Sequence, residues 1–340
     1  MTCMTVEKAI HLALRQELSR DSAVLLMGEG VATKRRDLVD AFGAGRVRNT
    51  PLAEAIIAGT AAGAAASGLR PVVDLLFAPF LAYSMDALVN SAGKLRYLSG
   101  GQFSFPLVAM TMTGAGWAVG AQHNHNLEAM FVHTPGVKVV MPATPADFHG
   151  LLRSSIRDDN PVLFFTDIGL LYEEGEVPDD PEHVVPLGSA AVRRTGIDVT
   201  LVSYAKTVGV CLKAAEQLAA EGVAAEVIDL RTLKPLDEDA VLRSVRKTGR
   251  LIVVTEANGL CGVAAEIAAL AATRAFDALR APVVRITGPD APSAGSWAVE
   301  QAGVPQADAV VNAALELTKG SGTRGGLVRV ARGEASVAVA

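Results

Sequence analysis

Residues 51–77 read PLAEAIIAGTAAGAAASGLRPVVDLLF. The first part, Pro51 to Ser67, is rich in alanine and glycine and follows a threonine, a composition that predicts a helix with Thr50 as N-cap and Pro51 at its first position. The last part, Pro71 to Phe77, is a short, nearly continuous apolar run, as a strand buried on both faces requires. The pattern recurs. Apolar runs at Ala23 to Met27, Pro106 to Met112, Val137 to Met141 and Pro161 to Phe165 alternate with helical stretches at Tyr83 to Tyr97 and Pro145 to Arg157. This order predicts an α/β fold with a doubly wound parallel sheet covered by helices on both faces.

Glu173 to Pro186 interrupts the rhythm with six acidic residues and three prolines, the composition of an exposed linker. Beyond it, strands near Val199 to Ser203, Ala225 to Asp229, Leu251 to Thr255 and Val283 to Ile286 alternate with helices at Val208 to Glu221, Asp237 to Arg246 and Val263 to Ala275, predicting a second, smaller α/β domain. The expected organisation is a first domain over 1–172, a linker over 173–187, a second domain over 188–319 and a poorly ordered tail over 320–340.

A chain of 340 residues is long enough for two domains with separate cores. A net charge of −5 without a Lys/Arg run argues against nucleic acid or an anionic membrane surface as partner. Met1 to Asp21 is too charged for a signal peptide, and the weakly polar Ala55 to Leu69 is too short to span a bilayer, so a cytoplasmic protein is expected. Cys3, Cys211 and Cys261 fit neither a disulfide framework nor a metal site. The glycines near residue 28 and residue 114 do not complete GxGxxG, and there is no Walker A loop, so a Rossmann dinucleotide site is not expected.

Glu54 falls in the first turn of the expected helix. A carboxylate there is favoured by the helix dipole alone, so its position does not establish a catalytic role. Gly59 and Gly63, four apart among alanines, suit a close contact with another helix, within the chain or between subunits. Four of the six histidines (His123, His125, His133 and His149) fall close together. The HNH triplet at 123–125 reads either as a catalytic loop at the carboxyl end of a strand or as surface histidines, and no third ligand for zinc lies nearby. Residues 155–161, SIRDDNP, form a turn after a helix, where carbonyls can converge on a cation or simply close a loop.

Several longer runs carry a resemblance: TPLAEA (50–55), GLRPVVD (68–74), KLRYLSGGQ (94–102), AQH (121–123), HTPGVKVVMP (133–142), IRDDNP (156–161) and VIDLRTLKPLDE (227–238). In this order the chain resembles the beta subunits of thiamine-diphosphate-dependent 2-oxo acid dehydrogenases, and LEAMF (127–131) and GEVP (175–178) resemble the acetoin and pyruvate branch. The resemblance implies a transketolase-like pyrimidine-binding domain followed by a transketolase C-terminal domain. It implies catalytic roles for Glu54 and His123. Glu54 would share a proton with N1′ of the cofactor's aminopyrimidine, favouring the imino tautomer that removes the thiazolium C2 proton, and His123 would face the reacting carbon. Phe80 would stack on the aminopyrimidine, with Leu76 and Tyr83 flanking that pocket and Glu29 at a subunit boundary. Leu107, Ser155, Ile156, Asp158 and Asn160 fall on the family's structural potassium site.

The resemblance also implies partners: an alpha subunit in an α2β2 heterotetramer, which holds the diphosphate through Mg2+ by a GDG motif absent from this sequence, and a lipoyl acyltransferase core. The implied reaction cleaves acetoin or decarboxylates pyruvate or another small 2-oxo acid, and passes the fragment to lipoamide. The chain departs from the family where Asn124 and His125 follow AQH in place of SerGln, in a shorter stretch between Glu29 and Arg46, and over DAPSAGSW (290–297), where a His and ProPhe pattern is usual. The change at 124–125 and the shortened stretch motivate a second reading, a two-subunit carboligase, and a third from another class is a catalytically silent scaffolding subunit, against which the retained Glu54 speaks.

Overall fold

The computed structural model describes residues 1–319, so the expected tail over 320–340 lies outside the described residues. The strands are β1 (Thr2–Thr5), β2 (Val24–Gly28), β3 (Val47–Asn49), β4 (Arg70–Phe77), β5 (Val108–Thr113), β6 (Lys138–Val140), β7 (Val162–Asp167), β8 (Glu174–Val177), β9 (Ala191–Arg194), β10 (Val199–Ser203), β11 (Ala225–Asp229), β12 (Thr232–Lys234), β13 (Leu251–Asn258) and β14 (Val284–Gly288). A seven-stranded sheet runs β12-β6-β7-β5-β4-β2-β3, parallel except for β12, and a five-stranded sheet runs β14-β13-β10-β11-β9, parallel except for β9. The doubly wound parallel architecture read from the apolar runs is therefore present in both halves.

Alternation along each central strand explains why the runs are apolar without a break. In β7, Leu163 and Phe165 enter one core layer while Val162 and Phe164 enter another, and β5 divides Ala109 from Val108 and Met110 in the same way. The layer holding Leu163 and Phe165 continues through Val202, Tyr204, Leu230 and Val241, so one apolar core is shared between the two sheets. A third layer, around Leu201, Val227, Ile252 and Val310, closes the far face of the second sheet.

Three details differ from the sequence reading. The helix after β3 starts at Glu54 with Ala53 as its cap, while Thr50 makes no cap and leaves its hydroxyl oxygen buried without a hydrogen-bond partner. Tyr83 to Tyr97 is not one helix: Leu81–Met85 and Gly93–Leu98 are joined by a π-helical stretch, Asp86–Ala92. Within the segment read as an exposed linker, Glu174–Val177 form β8 against β1, and Val177 and Val185 are buried. The tertiary pairing of β12 with β6, across the linker, left no signal in the local pattern.

On the outer face, the helix Val6–Arg20 packs on the helix Pro145–Arg157. His149 is buried there, its Nε2–H directed at Gln16 Oε1 at 2.7 Å, its ring stacked on His183 at 5.7 Å, and its Nδ1 without a partner among the described residues. Burial, then the charges of Arg153 and His183, lower its pKa from 6.5 to about 4, against a smaller opposing effect of Glu17. The unfolded chain takes up this proton below about pH 6.5 and the folded chain only below about pH 4, so stability falls as pH drops between those values. By pH 4.5 the loss should reach about 2 to 3 kcal/mol, since each tenfold change in proton affinity corresponds to about 1.4 kcal/mol. Denaturant midpoints from pH 7 to 4.5 should slope less in His149→Gln than in the wild type, and parallel slopes would refute the assignment.

Candidate active site

The carboxyl ends of β2, β4 and β5, together with the helix that follows β3, lie along one edge of the seven-stranded sheet, and β3 and β4 flank β2 on opposite sides. In an open parallel sheet this is where a ligand crevice forms. Gly28 ends β2 against β4 so closely that an added Cβ would lie 2.5 Å from the Asp74 carbonyl oxygen, which only glycine permits. Glu29 follows it, half-buried.

At the end of β4 the backbone breaks register between Asp74 and Phe77, and Leu76 adopts φ +55, with its N–H donating to Asp74 Oδ1 at 3.1 Å. A bulky residue in the left-handed region is strained, and such strain is characteristic of functional sites. The irregularity precedes Phe77 and Phe80, whose ring centroids are 6.3 Å apart, edge to face. His123, on the loop after β5, stands edge-on to both, at 5.1 Å from Phe77 and 5.3 Å from Phe80. Phe77 was not singled out in the sequence, although the FAPF spacing after a strand would have marked it.

Glu54 is the first residue of its helix and is half-buried. Ser84 Oγ donates to the Glu54 carbonyl at 3.1 Å, tying this helix end to the segment that carries Phe80. Among the described residues neither the Glu54 nor the Glu29 carboxylate has a hydrogen-bond or ion-pair partner, so both remain open acceptors. Tyr83 is 69% exposed and turned outward, whereas Leu76 is half-buried beside the aromatic pair.

The loop carrying His123 rests on the second half of the chain. Glu300 accepts hydrogen bonds from Gly116 N–H at 3.1 Å, Ala118 N–H at 3.2 Å and Asn124 Nδ2 at 2.8 Å. Ala115 N–H donates to the Glu256 carboxylate, and Lys206 bridges Glu256 at 2.7 Å and Asp167 at 3.8 Å. Burial pushes the Asp167 carboxyl up to about 7, even though Lys206 opposes the shift. Beside it, buried Tyr204 donates to Glu128 at 2.8 Å, and burial raises the Glu128 pKa.

Of the five residues that the resemblance places around potassium, Ser155 and Ile156 end the helix Pro145–Arg157, Asp158 and Asn160 follow it and Leu107 precedes β5, but several of their carbonyls already meet donors of the chain. Arg70 Nη1 donates to the Ile156 carbonyl at 3.1 Å and to the Asp158 carbonyl at 3.2 Å, Leu107 accepts from Val162 N–H and Ser155 from Asp158 N–H. Asn160 Oδ1 accepts from Arg96 at 3.0 Å. A guanidinium thus supplies positive charge to this turn. Among the described residues no group of three or more His, Cys, Asp or Glu side chains is placed to hold a metal ion, and no helix is long and apolar enough to cross a membrane.

Comparison with known proteins accords with this geometry. Residues 3–173 match the transketolase pyrimidine-binding domain and residues 188–310 the transketolase C-terminal domain. The chain is 41% identical over 332 residues to the acetoin:2,6-dichlorophenolindophenol oxidoreductase subunit beta of Bacillus subtilis, covering 92% of this chain and 97% of that one. It is 41% identical over 326 residues to the mitochondrial pyruvate dehydrogenase E1 component subunit beta of Dictyostelium discoideum, covering 93% and 91%. Among solved structures, a split-gene transketolase described as an inactive beta4 tetramer superposes with a TM-score of 0.76 at 24% identity, covering 93% and 98%, a likeness of fold. With relatives this similar over nearly their whole length, the chain belongs to the family of transketolase-like beta subunits of acetoin oxidoreductases and pyruvate dehydrogenase E1 components.

Proposed function

We propose that the chain is the beta subunit of a thiamine-diphosphate-dependent acetoin or pyruvate dehydrogenase, active in an α2β2 heterotetramer with an alpha subunit that binds the diphosphate through Mg2+. The observation that carries this reading is the grouping of Phe77, Phe80 and His123 at the carboxyl edge of a pyrimidine-binding domain, with the unpartnered Glu54 carboxylate opening the adjoining helix. The residues present fit the pyrimidine half of the cofactor: an aromatic face for stacking and a free carboxyl acceptor for a ring nitrogen. When bound, thiamine diphosphate supplies the nucleophilic carbon and the electron sink for C–C cleavage.

Glu54 holds a proton against the pyrimidine N1′. Phe77 and Phe80 keep water from that face and present it for stacking. The His123 imidazole, wedged between the two rings, offers a nitrogen for proton transfer at the substrate oxygen. An acyltransferase core would supply the lipoyl disulfide that oxidises the acetaldehyde-level fragment by two electrons, one sulfur taking the acyl group as a thioester and the other leaving as a thiol. The subunit boundary would include the helix Glu54–Ala66: added Cβ atoms at Gly59 and Gly63 meet nothing within 4 Å in this chain, and Ile56 beside them is 69% exposed.

The test is reconstitution. The chain co-purified with its alpha subunit should reduce an artificial electron acceptor with acetoin or pyruvate, while the chain alone should show no turnover above background. Cofactor-dependent turnover by the lone chain at the rate of the pair would overturn the two-subunit reading. Loss of acceptor reduction with retained C–C bond formation between two carbonyl substrates would favour a carboligase.

A further inference from the structure

Two of the three places where the sequence departs from its family's pattern, at 124–125 and over 290–297, are brought near each other through adjoining residues. An added Cβ at Gly120 would lie 3.8 Å from the Gly295 Cα, and Asn124 donates to Glu300, in the short helix Trp297–Gly303. We infer that Glu300 and Asn124 are positioning residues for His123, so that the second domain sets the placement of the catalytic imidazole.

The loop has little means of holding its own shape. Between the end of β5 and His123 the backbone takes positive φ at Gly114, Gly116, Ala118 and Gly120, and at Ala118 the side chain makes φ +50 costly. His123 N–H and Asn124 N–H both donate back to the Gly120 carbonyl, which fixes the imidazole's backbone to a glycine but fixes the glycine to nothing. Glu256 and Lys206 hold residue 115 at the start of the loop and Thr113 Oγ1 donates to the His125 carbonyl beyond it, but across residues 116–124 the restraint from the second half of the chain comes from one carboxylate. Glu300 is 5% exposed and its two oxygens collect the N–H groups of residues 116 and 118 and the amide of residue 124, bracketing His123 from both sides of the loop. Asn124 is itself 2% exposed, so its amide has no water to turn to. Three bonds to a charged acceptor outweigh the strain of a single left-handed alanine. A serine at 124 would leave its hydroxyl short of the carboxylate, so the departure at 124 supplies the side-chain bond that adds to the two backbone contacts of Glu300.

This inference rests on the proposed role of His123, and the experiment separates the two. The α/β pair is prepared with Glu300→Ala, Asn124→Ser, Glu300→Gln, the exchange Glu300→Gln with Asn124→Asp, and His123→Ala as reference. In the exchange the glutamine amide donates to the aspartate while its oxygen still accepts from residues 116 and 118, reversing the polarity of one hydrogen bond and keeping the rest. Each single variant at 300 or 124 should lower kcat about tenfold or more while substrate KM changes by less than about twofold, because misplacing a reacting group costs rate more than binding. The exchange should recover most of the kcat lost in Glu300→Gln. Amide hydrogen exchange over residues 114–124, read on the lone chain, should accelerate in Glu300→Ala and return to wild-type rates in the exchange variant. Should Glu300→Ala fail to fold, Asn124→Ser, which leaves both backbone contacts of Glu300 in place, decides the matter alone. Wild-type kcat in the single variants beside an inactive His123→Ala would overturn the inference. Undiminished kcat in His123→Ala would overturn the role of His123, and the hydrogen-exchange result would still decide whether Glu300 clamps the loop.

Discussion

Glu54→Gln in the reconstituted α/β pair is expected to lower kcat by about 10²- to 10⁴-fold, the range over which a positioned acid or base contributes. The side chain keeps its length and volume, so the helix Glu54–Ala66 starts at the same residue and Ser84 still donates to the backbone carbonyl of residue 54. What changes is one proton-accepting oxygen. An amide can donate to a pyrimidine nitrogen, but it does not exchange a proton with it. Because the Glu54 carboxylate has no partner among the described residues, its removal strands no other group, and the melting temperature of the lone chain should stay within a degree or two of the wild type. A variant within tenfold of the wild-type kcat would remove Glu54 from the chemistry and return it to the simpler role of a carboxylate at a helix start.

The second large effect concerns stability. Glu17 is fully buried between the two outer-face helices, with Arg153 Nε at 2.9 Å, Arg157 Nη2 at 2.7 Å and Arg20 Nε at 2.7 Å. Burial alone would raise its carboxyl, but hydrogen bonds from Arg157, Arg153 and Arg20 outweigh burial and hold it below the ordinary carboxylate range. Arg153 is only 2% exposed and also donates to the carbonyls of Pro181 and His183, so it cannot move to water when its partner is lost. Glu17→Met should therefore cost about 3 to 5 kcal/mol, most of it the penalty of a buried cation left without an anion. Denaturant midpoints at pH 7 measure this, and a midpoint equal to the wild type would refute it. Since the folded pKa lies below the unfolded one, this contribution is present above about pH 4.5 and is lost as pH falls further, a window below that of His149.

The legible and illegible parts of this molecule divide along a physical line. Strands such as Val199–Ser203 and Ala225–Asp229 coincide with the apolar runs because a strand buried on both faces has no choice of composition. The helix Pro145–Arg157 was visible for a different reason: Thr144 caps it, accepting from Asp147 N–H, and a proline opens it. The strands β1, β8, β9 and β12 were not read, being short and held by partners far away in the chain. At the site, Glu54 and His123 lie on runs that carry a resemblance, Phe80 was assigned through it although it lies between two of those runs, and Phe77 lies within a visible strand. Glu300 left no trace, because its role comes from a contact with Asn124 across 176 positions of sequence.

One consequence of the topology reaches beyond the site. The strand Thr232–Lys234 belongs by sequence to the second half, yet it closes the edge of the first sheet along Lys138–Val140, and one apolar core joins the two halves. Severing the chain near residue 180 would therefore not release two independent proteins. It would bare a row of backbone donors and acceptors on the first piece, open to pairing with a stray strand of another molecule. Loss of either half therefore exposes both the shared apolar core and the sheet edge that a three-residue strand covers.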